Sequence, residues 1–207
     1  MKKAIKMIGL MAAVPLALQA TAAMAQVQPN THEVDVYVGE LFGDDLTKSP
    51  INGSTPKVDD DVTYGARYTY QFAPTWAVEL SAGSTPTTVT GLRGGDTDLD
   101  LTTIDADLVY NFPLSSDGRL VGYVLGGAGY AFADLDRPIQ GIANGSLVTV
   151  DDDDGVTANA GIGAKYFATE HVVLKVEGRY RYFDKLVDNL DDSLNGAEAT
   201  VAVGYRF

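Results

Sequence analysis

Only two histidines, His32 and His171, are available for acid–base chemistry, and the chain contains no cysteine. A thiol nucleophile, a disulfide framework and a cysteine-ligated metal are thereby excluded. Neither histidine has a serine or aspartate at a spacing that suggests a nucleophile, base and orienting group. His32 reads as lying ahead of the first extended segment and His171 as opening the seventh, both as interfacial or turn residues. Carboxylates are plentiful, 28 Asp+Glu against 15 Lys+Arg for a formal charge of −13. That balance argues against a protein that grips nucleic-acid phosphates. Asp96-Thr97-Asp98-Leu99-Asp100 imitates the start of a calcium loop, but Leu101 stands where that loop needs glycine and Asp107 where it needs glutamate. Asp151, Asp152, Asp153 and Asp154 form a four-carboxylate run before Gly155, with Asp134 and Asp136 at the other end of the same segment. The run reads as solvated charge or as a weak divalent-cation site built from hard oxygen ligands. No cofactor and no firm metal site are expected.

The other charges obey a different rule: they sit on one side of a period-two pattern. In Val62–Phe72 the residues Val62, Tyr64, Ala66, Tyr68, Tyr70 and Phe72 alternate with a polar set containing Arg67. Trp76, Val78 and Leu80 alternate with Glu79; Ile104 to Phe112 with Asp105 and Asp107; Val156 to Tyr166 with Lys165. Val172 to Tyr182 sets its apolar face against Lys175, Glu177, Arg179 and Arg181, and Ala197 to Phe207 against Glu198 and Arg206. Period two repeated this often means strands. Two further strands are less regular. Val34, Val36 and Val38 alternate with Asp35, Tyr37 and Gly39, although Glu40 falls on the apolar side; Leu120–Phe132 is apolar on both sides, so its facing is not legible. Eight strands of about 10 residues result, the length a tilted strand needs to cross a bilayer.

The first residues are a different kind of segment. Lys2, Lys3 and Lys6 precede an apolar run from Met7 to Leu18, and Ala23-Met24-Ala25 is a small-x-small cleavage signal. Residues 1–25 thus read as a cleaved secretory signal peptide, 26–31 as a short lead, and 32–207 as the folded domain. The run is too short for a membrane-spanning helix, and no cysteine follows it to accept a lipid. Losing three lysines and no acid leaves a mature charge of about −16.

The connections alternate in length. Ala73-Pro74-Thr75, Pro113 to Gly118 and Phe167 to Glu170 are tight turns, whereas Asp44 to Asp61, Thr85 to Asp100, Ala133 to Gly155 and Asp184 to Gly196 are long and acidic. The long ones hold about −13 of the mature charge. Short turns at one end and long polar loops at the other suit an eight-stranded antiparallel transmembrane β-barrel, with periplasmic turns and extracellular loops. A soluble β-barrel alternates too, but its apolar face fills the interior. Here the polar face collects Arg67, Glu79, Asp105, Asp107, Lys165, Lys175, Glu177, Arg179, Arg181, Glu198 and Arg206, a nearly balanced set that suits a confined lumen. The apolar face ends in Tyr70, Phe72, Trp76, Tyr110, Phe112, Tyr166, Tyr205 and Phe207, all at the short-turn end, as an interfacial girdle would.

Together with the closing strand AEATVAVGYRF, these features resemble the small outer-membrane β-barrel family that includes the OmpA transmembrane domain, OmpX and the opacity proteins. The resemblance covers residues 31 to 207. It implies a Gram-negative outer-membrane location, contact with outer-membrane lipid and lipopolysaccharide, and insertion by the barrel assembly machinery, for which Tyr205 and Phe207 would form the assembly signal. The peptidoglycan-binding domain attached to many OmpA proteins is not expected, since the chain stops at Phe207. Neither histidine matches the lipid A deacylases, and no Asp pair with a neighbouring His resembles the outer-membrane proteases.

The expected role is therefore non-enzymatic: a structural or surface-interaction protein that meets an extracellular ligand through its acidic loops. A narrow porin-like channel is the alternative, and a lipid-modifying enzyme a distant third. An eight-stranded barrel is just wide enough to be filled by side chains. Gly65, Gly83, Gly161, Gly163 and Gly204 on the polar face would leave room for water, or else serve strand curvature or close packing.

Overall fold

The computed structural model describes residues 27–42, 57–58, 60–90, 97–135, 139–143, 146–150, 153–183 and 194–207. The segment read as a signal peptide lies outside them, as do Asp151 and Asp152. Among the described residues eleven strands run in chain order: β1 (Thr31–Phe42), β2 (Lys57–Val58), β3 (Asp61–Gln71), β4 (Trp76–Thr90), β5 (Thr97–Pro113), β6 (Leu120–Leu135), β7 (Ile139–Ala143), β8 (Ser146–Val150), β9 (Asp153–Phe167), β10 (Val172–Phe183) and β11 (Leu194–Arg206). Eight of them close a barrel in the order β1-β3-β4-β5-β6-β9-β10-β11, every pair antiparallel, with β11 returning to β1. Closure pairs the backbone of each wall strand on both sides, the condition for crossing a lipid phase.

Alternation in the sequence becomes alternation across the wall. The apolar side faces outward and stays exposed, with Val36 at 58% and Ile162 at 62% of full accessibility, while the charged side is buried. A soluble barrel would have the reverse arrangement, so the apolar wall is built for lipid. His32, Tyr70, Phe72, Trp76, Tyr110, Tyr166, Tyr205 and Phe207 gather at the end that carries the short turns. Ring pairs such as Trp76–Tyr110 (4.9 Å) and His32–Tyr70 (4.9 Å) join them into a belt. His32 is part of β1 rather than ahead of it, because β1 begins at Thr31.

Two expectations about length need correction. The strands are longer than about 10 residues: β4, β5, β6 and β9 have 15, 17, 16 and 15 residues, against 12, 11, 12 and 13 in β1, β3, β10 and β11. At about 3.4 Å per residue the extra length raises one half of the wall by roughly 10 Å along its strands. Thr85 to Thr90 and Thr97 to Asp100, read as loop, pair as strand instead, with Thr88 opposite Asp98 and Pro86 opposite Asp100. Their outward side is polar because the strand has left the apolar phase, so the amphipathic signal fades while the β-favouring threonines keep the ladder going. The connection Ala133 to Gly155 likewise contains a hairpin, β7 paired with β8 from Ile139–Val150 to Ala143–Ser146.

The facing of Leu120–Phe132 is resolved by burial. Val121, Tyr123, Leu125 and Ala131 point inward, and Val124, Tyr130 and Phe132 outward. Glu40 stays on the outward side near the end of β1, opposite Val62 and Ala199.

Candidate functional site

The buried faces of the eight strands converge on a lumen with three kinds of lining. Near the short turns, Val121, Phe167 and Val173 form an apolar cluster against which Val27 packs. Near the opposite end Leu41, Leu101, Ala131 and Phe183 form another. Between them lies an ionic core. Val27 reaches its place because Asn30, at φ 62°, turns the lead residues back, with its N–H on the carbonyl of Gln71 (2.6 Å) and its side-chain oxygen accepting from the Tyr70 hydroxyl (3.2 Å).

All eleven residues expected in the lumen are buried there, at 9% exposure or less. Nine of them, Arg67, Glu79, Asp105, Asp107, Lys175, Glu177, Arg179, Arg181 and Glu198, form one connected set of ion pairs. Arg179 lies at the centre, within 3.0 Å of Glu177, 3.1 Å of Asp107, 3.2 Å of Glu79 and 3.7 Å of Asp105. Arg181 pairs with Asp105 at 2.6 Å and with Glu198 at 3.1 Å. Arg67 reaches Glu177 at 3.2 Å and donates to the Thr200 hydroxyl at 3.0 Å, with Glu79 and Asp35 at 3.8 and 3.9 Å. Strand geometry explains the column: Lys175, Glu177, Arg179 and Arg181 alternate along β10, and Glu198 lies directly opposite Arg179 on β11.

Sequence reading missed two members of this core, Glu33 and Asp35 of β1. Lys175 holds both, at 2.5 and 2.6 Å. The signal is present in the sequence, since Asp35 alternates with Val34 and Val36. With these two the described lumen carries six bases and seven acids. Isolated charges would be costly to bury, and mutual pairing offsets part of that cost. Two members stand at the edge of the network. Lys165 lies opposite Lys175 with its ammonium 5.5 Å from the centre of the Tyr123 ring, and Arg206 lies over Phe167 at 4.8 Å and donates to the carbonyl of Glu170 at 2.8 and 3.1 Å.

The inward glycines do not leave room for water. A side-chain carbon at Gly65 or Gly83 would collide with the phenol of Tyr37, and one at Gly163 with that of Tyr123. Glycine on the wall is what allows two tyrosines to lie across the lumen. Tyr37 stacks beneath the Arg67 guanidinium at 4.2 Å, and Tyr123 donates to Glu177 at 2.8 Å. A cavity of about 10 Å³ between Glu33, Lys165 and Arg206 is near the limit for one water molecule.

The remaining candidates lie at the barrel's two rims. The Nδ1 of His32 shares a hydrogen bond of 2.7 Å with the Tyr68 hydroxyl, and His171 stacks on Tyr205 at 5.4 Å, so both rings belong to the aromatic belt. Asp154 faces outward and accepts from the Tyr130 hydroxyl. The side chain of Asp153 lies outside the described residues, as do those of Asp151 and Asp152. Among the described residues no group of three or more metal-ligating side chains is assembled.

A closed, outward-apolar barrel with a charge-filled lumen defines a small integral protein of the outer membrane. The chain belongs to the outer membrane protein β-barrel domain family, whose model matches residues 12–207. Its fold is similar to that of Neisserial surface protein A, at TM-score 0.60 and 16% identity over 86% of this chain and 97% of that one. OprG from Pseudomonas aeruginosa matches at TM-score 0.58 and 19% identity over 89% and 99% of the two chains. Ail, the attachment invasion locus protein of Yersinia pestis, matches at TM-score 0.52 and 17% identity over 87% and 100%. No curated protein sequence matches this chain. At such identities the likeness is one of fold.

Proposed function

We propose that this protein is a closed outer-membrane anchor that works through its extracellular end rather than a channel that works through its lumen. The observation that carries the reading is Arg179, held among Glu79, Asp105, Asp107 and Glu177 between apolar clusters at both ends of the lumen. Solute passing this point would have to part buried ion pairs, each expensive to leave half-paired. The raised half of the wall supports the same reading: Asp98, Asp100, Asp134 and Asp154 are exposed on its outer side, and Asp100 lies directly opposite Asp134. Like charges in register repel, and lipopolysaccharide phosphates beside them add to the repulsion. Divalent cations bridging these carboxylates to the lipid are therefore the proposed contact at this rim, with the acidic loops free for an extracellular ligand.

Planar-bilayer recording on purified, refolded protein tests this. The closed-anchor reading expects no steady single-channel conductance at neutral pH in ordinary salt. Reproducible unitary steps would overturn it in favour of the narrow pore.

A further inference from the structure

Beside the closing strand, at the short-turn end, a cleft of about 270 Å³ is lined by Gln28, Thr31, Glu170, His171, Arg206 and Phe207. It lies where the lumen mouth meets the lipid-facing belt. The turn that forms one wall is rigidly tied: the N–H groups of His171 and Val172 both donate to the Thr169 hydroxyl (3.2 and 2.9 Å), and the Arg206 N–H donates to the carbonyl of His171 (2.7 Å). Arg206 is anchored twice on the neutral carbonyl of Glu170. The His171 ring is fixed by stacking on Tyr205. The cleft thus brings together a guanidinium, an imidazole and the carboxylate of Glu170, beside the exposed Phe207 ring.

We propose that this cleft binds the headgroup of a zwitterionic, amine-bearing glycerophospholipid from the periplasmic leaflet. Arg206 and His171 supply donors to the phosphate, guanidinium being the side chain best suited to that group. Glu170 takes the ammonium. The acyl chains continue along the outward side of β10 and β11, where Leu174, Val203 and Tyr205 are exposed. A free phosphate or a purely anionic headgroup suits the cleft less well, because Glu170 would face it without a counter-charge. Lipopolysaccharide sits at the other end of the barrel. The proposal is independent of whether the lumen conducts.

Native mass spectrometry tests it on the whole mature chain, refolded in detergent with equal mole fractions of phosphatidylethanolamine and phosphatidylglycerol of matched acyl chains. The retained adduct should favour phosphatidylethanolamine by about tenfold, the effect of one charge-assisted contact. Arg206→Gln should lower both adducts. Glu170→Gln, in an exposed turn, should bring the two adducts to equal retention, phosphatidylethanolamine falling with the loss of its ammonium partner and phosphatidylglycerol rising as the opposing carboxylate is removed. Equal retention by the wild type, a preference for phosphatidylglycerol, or an unaltered preference in Glu170→Gln would each overturn the proposal. If Arg206→Gln fails to fold, the Glu170 variant alone decides.

Discussion

Arg181 places one nitrogen, Nη1, 2.6 and 2.7 Å from the two carboxylate oxygens of Asp105. Ser81, Thr157 and Asn159 donate to the same carboxylate at 3.3, 3.2 and 3.4 Å, so among the described residues Asp105 is the most heavily solicited acceptor in the lumen. Asp105→Asn keeps the shape but leaves Arg181 and Arg179 short of one negative charge in a buried setting. A loss of about 3 kcal/mol is expected, in line with breaking a buried pair from one side. Urea titration followed by the heat-dependent shift in gel mobility measures it. The double variant Asp105→Asn, Arg181→Gln should lose less than the sum of the two single variants, and strict additivity would show that the pair is not coupled.

Arg179 offers a sharper test because it neutralises several acids at once. Arg179→Ala leaves Glu79, Asp105, Asp107 and Glu177 facing one another across a void. Destabilisation of about 3–5 kcal/mol is expected, or a cation-selective leak if water enters to screen the carboxylates. Unfolding and bilayer recording on the same variant cover both outcomes. No change in either measurement would mean that the core is a wet lumen with screened charges rather than a packed ionic plug.

Tyr37 shows why glycine occupies the wall. Its phenol fills the space that a side chain at Gly83 would need, so Gly83→Ala must push the ring against the Arg67 guanidinium above it. Overpacking of this kind costs about 1–3 kcal/mol. The collision at Gly83 is with the hydroxyl, so Tyr37→Phe in the Gly83→Ala background should recover part of the loss. An equally unstable double variant would place the strain elsewhere.

These cases also mark what could be read before the fold was known. Facing was legible wherever one side was apolar and the other charged, as in β10, because lipid and lumen impose opposite chemistry on alternate residues. It was illegible in β6, where Val121, Tyr123 and Leu125 face inward yet are as apolar as their outward neighbours. Strand ends were illegible for the opposite reason: beyond the membrane Thr85, Thr87 and Thr97 face inward while Thr88 and Asp98 face outward, and two polar sides carry no period. The glycines were seen, but their purpose depends on Tyr37 and Tyr123 reaching across from other strands, a long-range fact with no local sign.

The turn between β5 and β6 carries a pH-dependent element in water. The Ser115 hydroxyl and then the Arg119 N–H donate to Asp117, and these bonds hold its carboxyl below the ordinary value of 3.8. A folded value below the unfolded one means that the contribution is complete above the ordinary value and is lost as pH falls through the folded one. The Arg119 amide resonance should therefore titrate with an inflection below 3.8, and Asp117→Asn should abolish that inflection. An inflection at or above the ordinary value would show that the turn does not hold the carboxylate.

The barrel is sealed by a reciprocal pair. His32 donates its N–H to the carbonyl of Phe207 at 3.0 Å, Phe207 donates back at 2.9 Å, and their rings stack at 5.6 Å. Tyr205 continues the stack to His171, so the seam between β11 and β1 is flanked by both histidines of the chain. The backbone pair survives Phe207→Ala, whereas the ring contacts and the aromatic terminus do not. Once assembled, this variant should therefore lose only about 1 kcal/mol, the value of an aromatic pair at a partly exposed site. Assembly is a separate matter. If Tyr205 and Phe207 form the signal read by the barrel assembly machinery, pulse-chase labelling should show slower appearance of the folded, heat-modifiable form in the outer membrane, with export to the periplasm unchanged. Wild-type insertion kinetics in Phe207→Ala would restrict these rings to the lipid belt and remove them from the assembly signal.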